Sequence, residues 1–194
     1  IQILIVDNHS SDQTAQLIQG YPRVEYAFEG HRTSYAARNK GGLRAVGDVL
    51  AFTDGDCTVA TGWARAGVTT LLENPDVHLV GGPVGVGPTD TPMQQFLQRA
   101  GNNNPRSSMR KGYFPTANLF VRREVFEHRL EFRAVGVVAH EEPPRAVHQG
   151  GRQQQRPDVT CGLAVGWLLC LFVWRAKQQH VIHAPALLAG FADQ

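Results

Sequence analysis

The sequence predicts an α/β fold in which a mostly parallel β-sheet is flanked by helices. Short apolar runs alternate with segments of helical periodicity over residues 1–134, and glycine or proline marks most of the junctions between them. Strands and helices that alternate in this way form parallel sheets, because each helix returns the chain to the same edge of the sheet. The length of 194 residues fits one domain with a sizeable core.

Each predicted element has its own local signal. Residues 1–6 are apolar almost throughout, as expected for a strand that is covered on both faces. Thr33 and Thr61 are candidate N-caps of two helices, and apolar residues follow Thr61 at helical spacing. The predicted strands are 1–6, 24–28, 49–53, 77–80 and 117–121; the predicted helices are a short one before Gly20, then 33–46, 61–73, 92–100 and one that begins within 122–128.

Composition argues against several classes of protein. Lys and Arg number 19 against 17 Asp and Glu, a net charge of +2 that lacks the basic excess of a dedicated nucleic-acid binder. The most apolar run, 163–174, is shorter than the ~20 residues of a membrane-spanning helix, so a buried element is expected there. The three cysteines form neither a disulfide framework nor a zinc motif, and we expect reduced thiols in a cytoplasmic protein.

Two carboxylates, Asp54 and Asp56, follow the third predicted strand directly, with Gly55 between them. Ligands of open α/β sheets bind beyond the carboxyl ends of the strands, so both side chains are expected at the ligand edge. Carboxylate oxygens are hard ligands that suit Mg²⁺ or Mn²⁺. The alternative interpretation is a solvated turn, since Asp and Gly are also common turn residues.

Asp7 and Arg38 are the other candidate binding residues. Asp7 directly follows the first predicted strand, which places it at the same edge as Asp54, where its carboxylate can accept hydrogen bonds from a base or a ribose. Ser11 and Asp12 are interpreted as caps of the helix that follows. Arg38 lies on the predicted helix 33–46, where its planar guanidinium either binds a nucleotide or lies on a solvated face.

Taken together, in this order and spacing, the segments resemble the family 2 glycosyltransferases of the GT-A fold. Residues 6–14 (VDNHSSDQT) resemble the early motif VD(D/N)xSxDxT, residues 37–41 (ARNKG) resemble ARNxG, and residues 54–56 (DGD) resemble the DxD motif. Residues 114–126 resemble the strand and helix beside the acceptor site of that family. The resemblance covers about two thirds of the chain.

This resemblance implies the metal-dependent transfer of a sugar from a nucleotide-diphosphate sugar to an acceptor hydroxyl, with inversion of the anomeric centre. It implies nucleotide-sugar contacts from Asp7, Arg38 and Asp54, and a Mn²⁺ or Mg²⁺ ion held by Asp54 and Asp56. The acceptor, a glycan, a lipid-linked carrier or a protein, is not specified by the motifs. The expected location is the cytoplasm, including the inner face of a membrane.

The sequence departs from the family pattern in three places. The first strand and helix of the family have no counterpart, so we expect a GT-A sheet that is incomplete at its N-terminus, with a strand edge left unpaired. No catalytic base can be identified, since Glu141, Glu142 and Asp158 lie in stretches without a helix or strand pattern. His183 is not at the position where the family often has a metal-binding histidine, and a structural role is expected for it.

These departures divide the predicted domain into two parts. Residues 1–134 are expected to form the nucleotide-sugar-binding core and the start of the acceptor region. Residues 135–194 are expected to be an irregular C-terminal part of the same domain, partly disordered or misread through a local reading-frame error. The polar loop 101–111, which carries Arg106, Arg110 and Lys111, is either a contact for an anionic acceptor or a solvated loop.

Two other functions stay open at this point. A catalytically inactive nucleotide-binding fragment of such an enzyme would bind metal and nucleotide without transferring a sugar. A nucleotidyltransferase on a similar sheet would need an early glycine-rich phosphate loop with a basic residue, which the sequence does not show.

Overall fold

The computed structural model describes residues 1–86, 92–93, 95–96, 114–133, 136–139, 146–148, 159–161 and 168–174. In chain order the strands are β1 (Gln2–Asp7), β2 (Val24–Phe28), β3 (Val49–Asp54), β4 (Cys57–Val59), β5 (Leu79–Gly81), β6 (Val84–Val86), β7 (Leu119–Arg122), β8 (Leu130–Arg133), β9 (Gly136–Ala139), β10 (Ala146–His148), β11 (Val159–Cys161) and β12 (Leu168–Trp174). The helices are α1 (Thr14–Gln19), α2 (Ser34–Arg44), α3 (Trp63–Glu73) and α4 (Arg123–Arg129), and a 3₁₀ turn covers Thr116–Asn118.

A seven-stranded sheet with the order β10-β5-β7-β3-β12-β1-β2 forms the centre of the fold. The pairing directions show that β1, β2, β3, β5 and β10 run one way, whereas β7 and β12 run the other way. A three-stranded sheet, β4-β11-β6, and the pair β8-β9 complete the described strands. The predicted α/β class is therefore confirmed.

The position of β12 corrects one prediction. This apolar strand lies between β1 and β3 and is antiparallel to both, with Leu171 opposite Leu4 on one side and Phe52 on the other. The expectation of an unpaired strand edge is wrong, because β1 is paired by β2 and by β12. A run of large apolar residues can take this place because an interior strand is covered on both faces and its backbone groups are paired on both sides.

Local capping signals were predicted with mixed success. Thr33 is the N-cap of α2, and its hydroxyl accepts a hydrogen bond of 3.3 Å from the Ala36 amide. The N-cap of α3 is Gly62 rather than Thr61, with a φ of 83° that glycine adopts at little cost. The N-cap of α1 is Gln13, which makes no side-chain cap hydrogen bond, so neither Ser11 nor Asp12 is the N-cap. Asp12 accepts a hydrogen bond of 2.9 Å from the Thr14 amide at the start of the helix.

Side chains of the central strands alternate between two cores. Leu4, Val6 and Phe52 belong to the core under α2 and α4, and Ile5 and Ala51 belong to the core under α1 and α3. This alternation explains the nearly continuous apolar runs in the sequence, since both faces of the sheet are covered.

Two helical glycines allow close packing onto this sheet. A Cβ atom at Gly42 of α2 would lie 2.2 Å from the ring of Phe126, and one at Gly67 of α3 would lie 2.4 Å from the ring of Phe120. Neither glycine has room for a side chain, so α2 and α3 approach their neighbours through bare backbone.

Several predicted features lie outside the described residues. They are the basic loop 101–111, the acidic residues Glu141, Glu142 and Asp158, His183, and most of the predicted helix 92–100, of which residues 92–93 and 95–96 are helical. None of the described helices has the length and apolar character needed to cross a membrane.

Candidate functional site

Asp7 and Asp54 lie at the same edge of the central sheet. Asp7 is the last residue of β1, Asp54 is the last residue of β3, and they stand opposite Leu168 and Leu169 of the intervening β12. Two steps of strand spacing put the two aspartate backbones about 10 Å apart. Side chains two residues apart on a strand lie on the same face of the sheet. Asp7 therefore lies on the face of Ile5, which packs in the core under α1 and α3. Asp54 lies on the face of Phe52, which packs in the core under α2.

Arg38 and Asp54 are brought together directly. The Arg38 Nη2 donates a hydrogen bond of 2.8 Å to Asp54 Oδ1, with the arginine side chain 15% exposed and the aspartate side chain 34% exposed. The Arg38 Nε is buried and has no hydrogen-bond partner within the described part of the chain. Within the described residues, the pair therefore leaves the Arg38 Nε and the Asp54 Oδ2 without a hydrogen-bond partner.

Asp7 is buried and its carboxylate is fixed by two donors. Its Oδ1 accepts a hydrogen bond of 2.9 Å from the Ser10 amide, and its Oδ2 accepts one of 3.1 Å from the Tyr26 hydroxyl. Burial of Tyr26, the hydrogen bond to Asp7 and the charge of Asp7 together raise the pKa of the tyrosine. Each Asp7 oxygen keeps a further lone pair, so the oriented carboxylate can still accept a hydrogen bond from a ligand.

Asn8 joins the end of β1 to the loop after β2. Its side-chain amide donates to the carbonyls of Glu29 and His31, the first at 3.3 Å. The residue is only 3% exposed, and its Oδ1 is buried without a partner in the described ranges. The sequence places Asn8 in the early motif but does not indicate a role for it. The buried, unpartnered Oδ1 makes Asn8 a candidate site residue.

Asp54, Asp56 and Cys57 form the candidate metal centre, with one potential ligand atom from each lying within 4.8 Å of the others. Cys57 is disulfide-bonded, so its sulfur is not a thiolate ligand, and the expectation of reduced thiols is wrong for this residue. The two carboxylates remain, and their hard oxygen atoms fit Mg²⁺ or Mn²⁺. Arg38, Asp54 and Asp56 together have a net charge of −1. This charge does not balance a divalent cation, so further anionic oxygens would be required to neutralise it.

Two asparagines in the matched motifs hold the scaffold. Asn39 of α2 exchanges hydrogen bonds of 2.9 Å with both backbone groups of Phe132. Asn118 is fully buried, accepts from the Trp63 indole at 2.8 Å and donates to the Pro83 carbonyl at 3.0 Å. Sequence reasoning missed both roles, because each partner is distant in the chain.

The segment predicted to lie beside the acceptor site has the predicted form. The 3₁₀ turn Thr116–Asn118 leads into β7, and α4 follows at Arg123. A strand and a helix are therefore present where residues 114–126 predicted them.

Comparisons with known proteins agree with this arrangement. Residues 1–130 match the family model described as glycosyl transferase family 2. The chain is 34% identical over 133 residues to "Glycosyltransferase AglE" of Haloferax volcanii, a match that covers 65% of this chain and 43% of AglE. A solved structure titled "Crystal Structure of a Mycobacterial Protein" superposes with a TM-score of 0.53 at 14% identity, covering 82% of this chain and 54% of that chain.

These matches differ in what they establish. The mycobacterial structure shows a likeness of fold alone, and this chain spans less than half the length of AglE. The family match extends over two thirds of the 194 residues and includes Asp7, Arg38, Asp54 and Asp56. The chain belongs to glycosyl transferase family 2.

Proposed function

We propose that the chain binds a nucleotide-diphosphate sugar at the edge formed by β1 and β3, and transfers the sugar to an acceptor hydroxyl with inversion and with Mn²⁺ or Mg²⁺. The observation that carries this proposal is the Arg38–Asp54 pair, 2.8 Å long, with Asp56 two residues further on and Asp7 at the same edge. The arrangement offers a cation, a pair of carboxylates and an oriented acceptor around one ligand.

Asp7 and Arg38 are proposed to hold the nucleotide. The Asp7 carboxylate, oriented by Ser10 and Tyr26, accepts a hydrogen bond from a base N–H or a ribose hydroxyl. Arg38, which lies beside Asp54 and is partly exposed, supplies a positive charge to the nucleotide oxygens. The exposed part of Asp54 faces the same ligand, as a ribose contact or as a metal ligand.

Asp54 and Asp56 are proposed to hold the divalent cation. When bound, this ion stabilises the negative charge that develops on the diphosphate as the glycosidic bond breaks. Because the neighbouring Arg38 offsets one of the two carboxylate charges, the side chains alone hold the ion weakly. We therefore expect metal and diphosphate to bind together, each supplying charge that the other requires.

The proton of the acceptor hydroxyl requires a carboxylate base in an inverting displacement. The acidic residues considered for that role, Glu141, Glu142 and Asp158, lie outside the described residues. The second candidate function is an inactive nucleotide-binding fragment, because the sequence identifies no catalytic base. The acceptor class, a glycan, lipid-linked carrier or protein, and the location in the cytoplasm or at the inner face of a membrane belong to the same proposal.

The proposal is tested by thermal unfolding of the chain with Mn²⁺ alone, with UDP or GDP alone, and with metal and nucleotide together. A ligand at 100 times its dissociation constant adds about 2.7 kcal/mol of stability. For a domain of this size that corresponds to a rise in melting temperature of roughly 5–10 °C. We expect this rise only when metal and nucleotide are both present, and equal rises with nucleotide alone would contradict the metal assignment.

Asp56→Asn isolates the metal site. We expect this variant to keep its melting temperature without ligands and to lose the rise caused by metal plus nucleotide, because Asp56 lies in a partly exposed turn after β3. Glu73→Gln, which neutralises an exposed carboxylate at the end of α3, is the matched control. Transfer of sugar from a nucleotide-sugar donor to water or an added acceptor then separates the enzyme from the inactive fragment.

A further inference from the structure

The two carboxylates of the candidate metal centre belong to different parts of the fold. Asp54 is the last residue of β3 and stands in register with Leu169 of β12, so the seven-stranded sheet fixes its backbone. Asp56 lies beyond that sheet, in the turn between β3 and β4, and directly precedes the first residue of β4. The strand β4 belongs to the three-stranded sheet β4-β11-β6. The position of Asp56 relative to Asp54 therefore depends on how β4 is held.

A disulfide bond lies directly beside Asp56. Cys57 is the first residue of β4, it is 7% exposed, and it is disulfide-bonded. Its Sγ lies 3.5 Å from Asp56 Oδ1. The other cysteines of the chain are Cys161 and Cys170, and Cys161 is the residue of β11 in register with Cys57. Directly opposed residues of an antiparallel pair have Cα atoms about 4.5–5.5 Å apart, a separation that suits a disulfide, so the register indicates Cys161 as the partner.

The pairing of β4 with β11 is short. It joins Cys57–Val59 to Val159–Cys161, three residues of each strand. Because so short an antiparallel ladder contributes few hydrogen bonds, a covalent link across it has a large share in holding the two strands together. The linked pair is at the end of the ladder that is nearest to Asp56. Loss of the link therefore loosens β4 where it joins the metal centre.

We propose that the Cys57 disulfide is a redox switch for the candidate metal centre: the oxidised chain holds Asp56 beside Asp54 and binds metal with diphosphate, and the reduced chain binds them weakly. This inference rests on the proposed function, since it assigns a control to the same metal site. A dithiol reduces the chain by thiol–disulfide exchange. One of its thiolates attacks a sulfur of the protein disulfide, and its second thiol resolves the mixed disulfide. Two electrons and two protons pass to the protein, which is left with two thiols, and the dithiol becomes a disulfide.

Binding of Mn²⁺ with inorganic pyrophosphate, measured by calorimetry, tests the switch. The wild-type chain is compared after oxidation with glutathione disulfide and after reduction with dithiothreitol, each removed by desalting without oxygen. We expect reduction to weaken binding roughly 5- to 150-fold, the usual size of a coupling between two sites. Linkage requires the reciprocal effect, so saturating Mn²⁺ and pyrophosphate should shift the exchange equilibrium with dithiothreitol toward the protein disulfide by the same factor.

Two serine variants separate the switch from other effects of reduction. Cys161→Ser removes the register partner of Cys57, so we expect weak binding with and without dithiothreitol. Cys170→Ser is the matched control, because Cys170 lies on β12 in register with Ile5 and Thr53, and this variant should keep both the tight binding and its loss on reduction. Thermal unfolding of each sample should remain cooperative, as expected for a change confined to β4 and the metal centre.

The outcomes separate this inference from the proposed function. Equal affinity of the oxidised and reduced wild type, or tighter binding by the reduced chain, would overturn the switch and leave the metal site standing. Three reactive thiols after treatment with glutathione disulfide would also overturn it. So would the loss of the cooperative transition on reduction, because the disulfide would then hold the whole fold rather than the site. An oxidised wild type and a reduced wild type that both fail to bind Mn²⁺ with pyrophosphate would overturn the metal site of the proposed function itself.

Discussion

Asp7 and Asp54 are carboxylates at one edge of one sheet, but their surroundings prepare them for different tasks. Asp7 is 2% exposed and is bound by two uncharged donors, which orient it without neutralising its charge. Asp54 is partly exposed and is paired with a guanidinium, so its charge is partly offset before any ligand arrives. The buried, oriented carboxylate of Asp7 suits the recognition of a neutral N–H or O–H group. The partly exposed carboxylate of Asp54 can bind either the Arg38 guanidinium or a metal ion.

Glu29 provides a pH test of the loop that carries this site. The backbone and side-chain hydrogen bonds from His31, with the nearby Lys40, hold the pKa of Glu29 at about 2, below its usual value of 4.5. A carboxyl whose pKa is lowered by folding stabilises the folded state above the unfolded pKa, and this contribution disappears as the pH falls from 4.5 toward 2. We expect the difference in unfolding free energy between wild type and Glu29→Gln to shrink over that interval.

Urea unfolding at several pH values between 6 and about 2.5 measures this difference. Glu25→Gln, which changes an exposed carboxylate on β2 for which Gln2 is the hydrogen-bond partner, serves as the comparison variant. A difference between wild type and Glu29→Gln that stays constant with pH would show that the loop contacts of Glu29 do not persist in solution.

At the scale of single residues, the sequence alone selects candidate residues whose chemistry is informative without knowledge of their partners. Asp7, Arg38, Asp54 and Asp56 could be selected because charged residues at strand ends or inside a motif are informative by themselves. Tyr26 could not, because its role depends on the pairing of β1 with β2, which brings its hydroxyl to Asp7 from 19 residues away. Asn39 depends in the same way on Phe132, which is 93 residues distant.

At the scale of elements, β12 has a position that no local signal predicts. The apolar run 163–174 indicated a buried element, but the choice of strand partners is a property of the assembled sheet. Its insertion between β1 and β3 sets the separation of Asp7 and Asp54, since those residues lie on either side of the start of β12. The strand is thus part of the scaffold of the candidate site.

Hydrogen exchange tests the placement of β12. Amides in the middle of a strand that is paired on both sides exchange only through large-scale opening, so we expect residues 170–172 to exchange as slowly as residues 50–52 of β3. The exposed residues 11–13, which precede α1, provide the fast-exchanging reference. Fast exchange at 170–172, with slow exchange maintained in β3, would show that another arrangement covers the edge of β1.

Helices and turns were the elements that could be predicted most directly. Period and capping located α2 and α3, and the error at Thr61 is one residue wide, since Gly62 takes the cap position through its left-handed backbone. The strands β9, β10 and β11, within residues 136–161, were not predicted from the sequence. They are short, and β10 and β11 find their partners far away in the chain, on β5, β4 and β6.

At the scale of the whole molecule, the strands β10, β11 and β12 pair with strands from the first half of the chain. β10 extends the central sheet at β5, β11 joins β4 and β6, and β12 divides β1 from β3. The candidate metal centre lies between two of these connections, because Asp54 ends β3 and Cys57 begins β4. The family match covers residues 1–130. Two described strands after residue 135 nevertheless border the candidate centre, because β12 pairs with β3 and β11 pairs with β4.

The disulfide at Cys57 makes one of these connections testable. Cys161 stands opposite Cys57 in the antiparallel pairing of β11 with β4, so we predict that these two cysteines are linked and that Cys170 is free. Non-reducing digestion and mass spectrometry should give the linked 57–161 peptide, and Cys170→Ser should leave it intact. Native disulfides typically stabilise the folded state by about 2–4 kcal/mol, so reduction should lower the unfolding free energy by that amount.

The same experiment bears on the compartment in which the protein folds. Disulfides persist in oxidising surroundings and are rare where thiols are kept reduced, so a quantitative 57–161 link in protein isolated from its native cells would contradict the predicted cytoplasmic location. Alkylation of all three cysteines in freshly isolated protein would instead agree with that location and would contradict the predicted link. In that case β4 and β11 would be held by their ladder hydrogen bonds alone, and Cys57 would be available beside Asp56, 3.5 Å from its carboxylate.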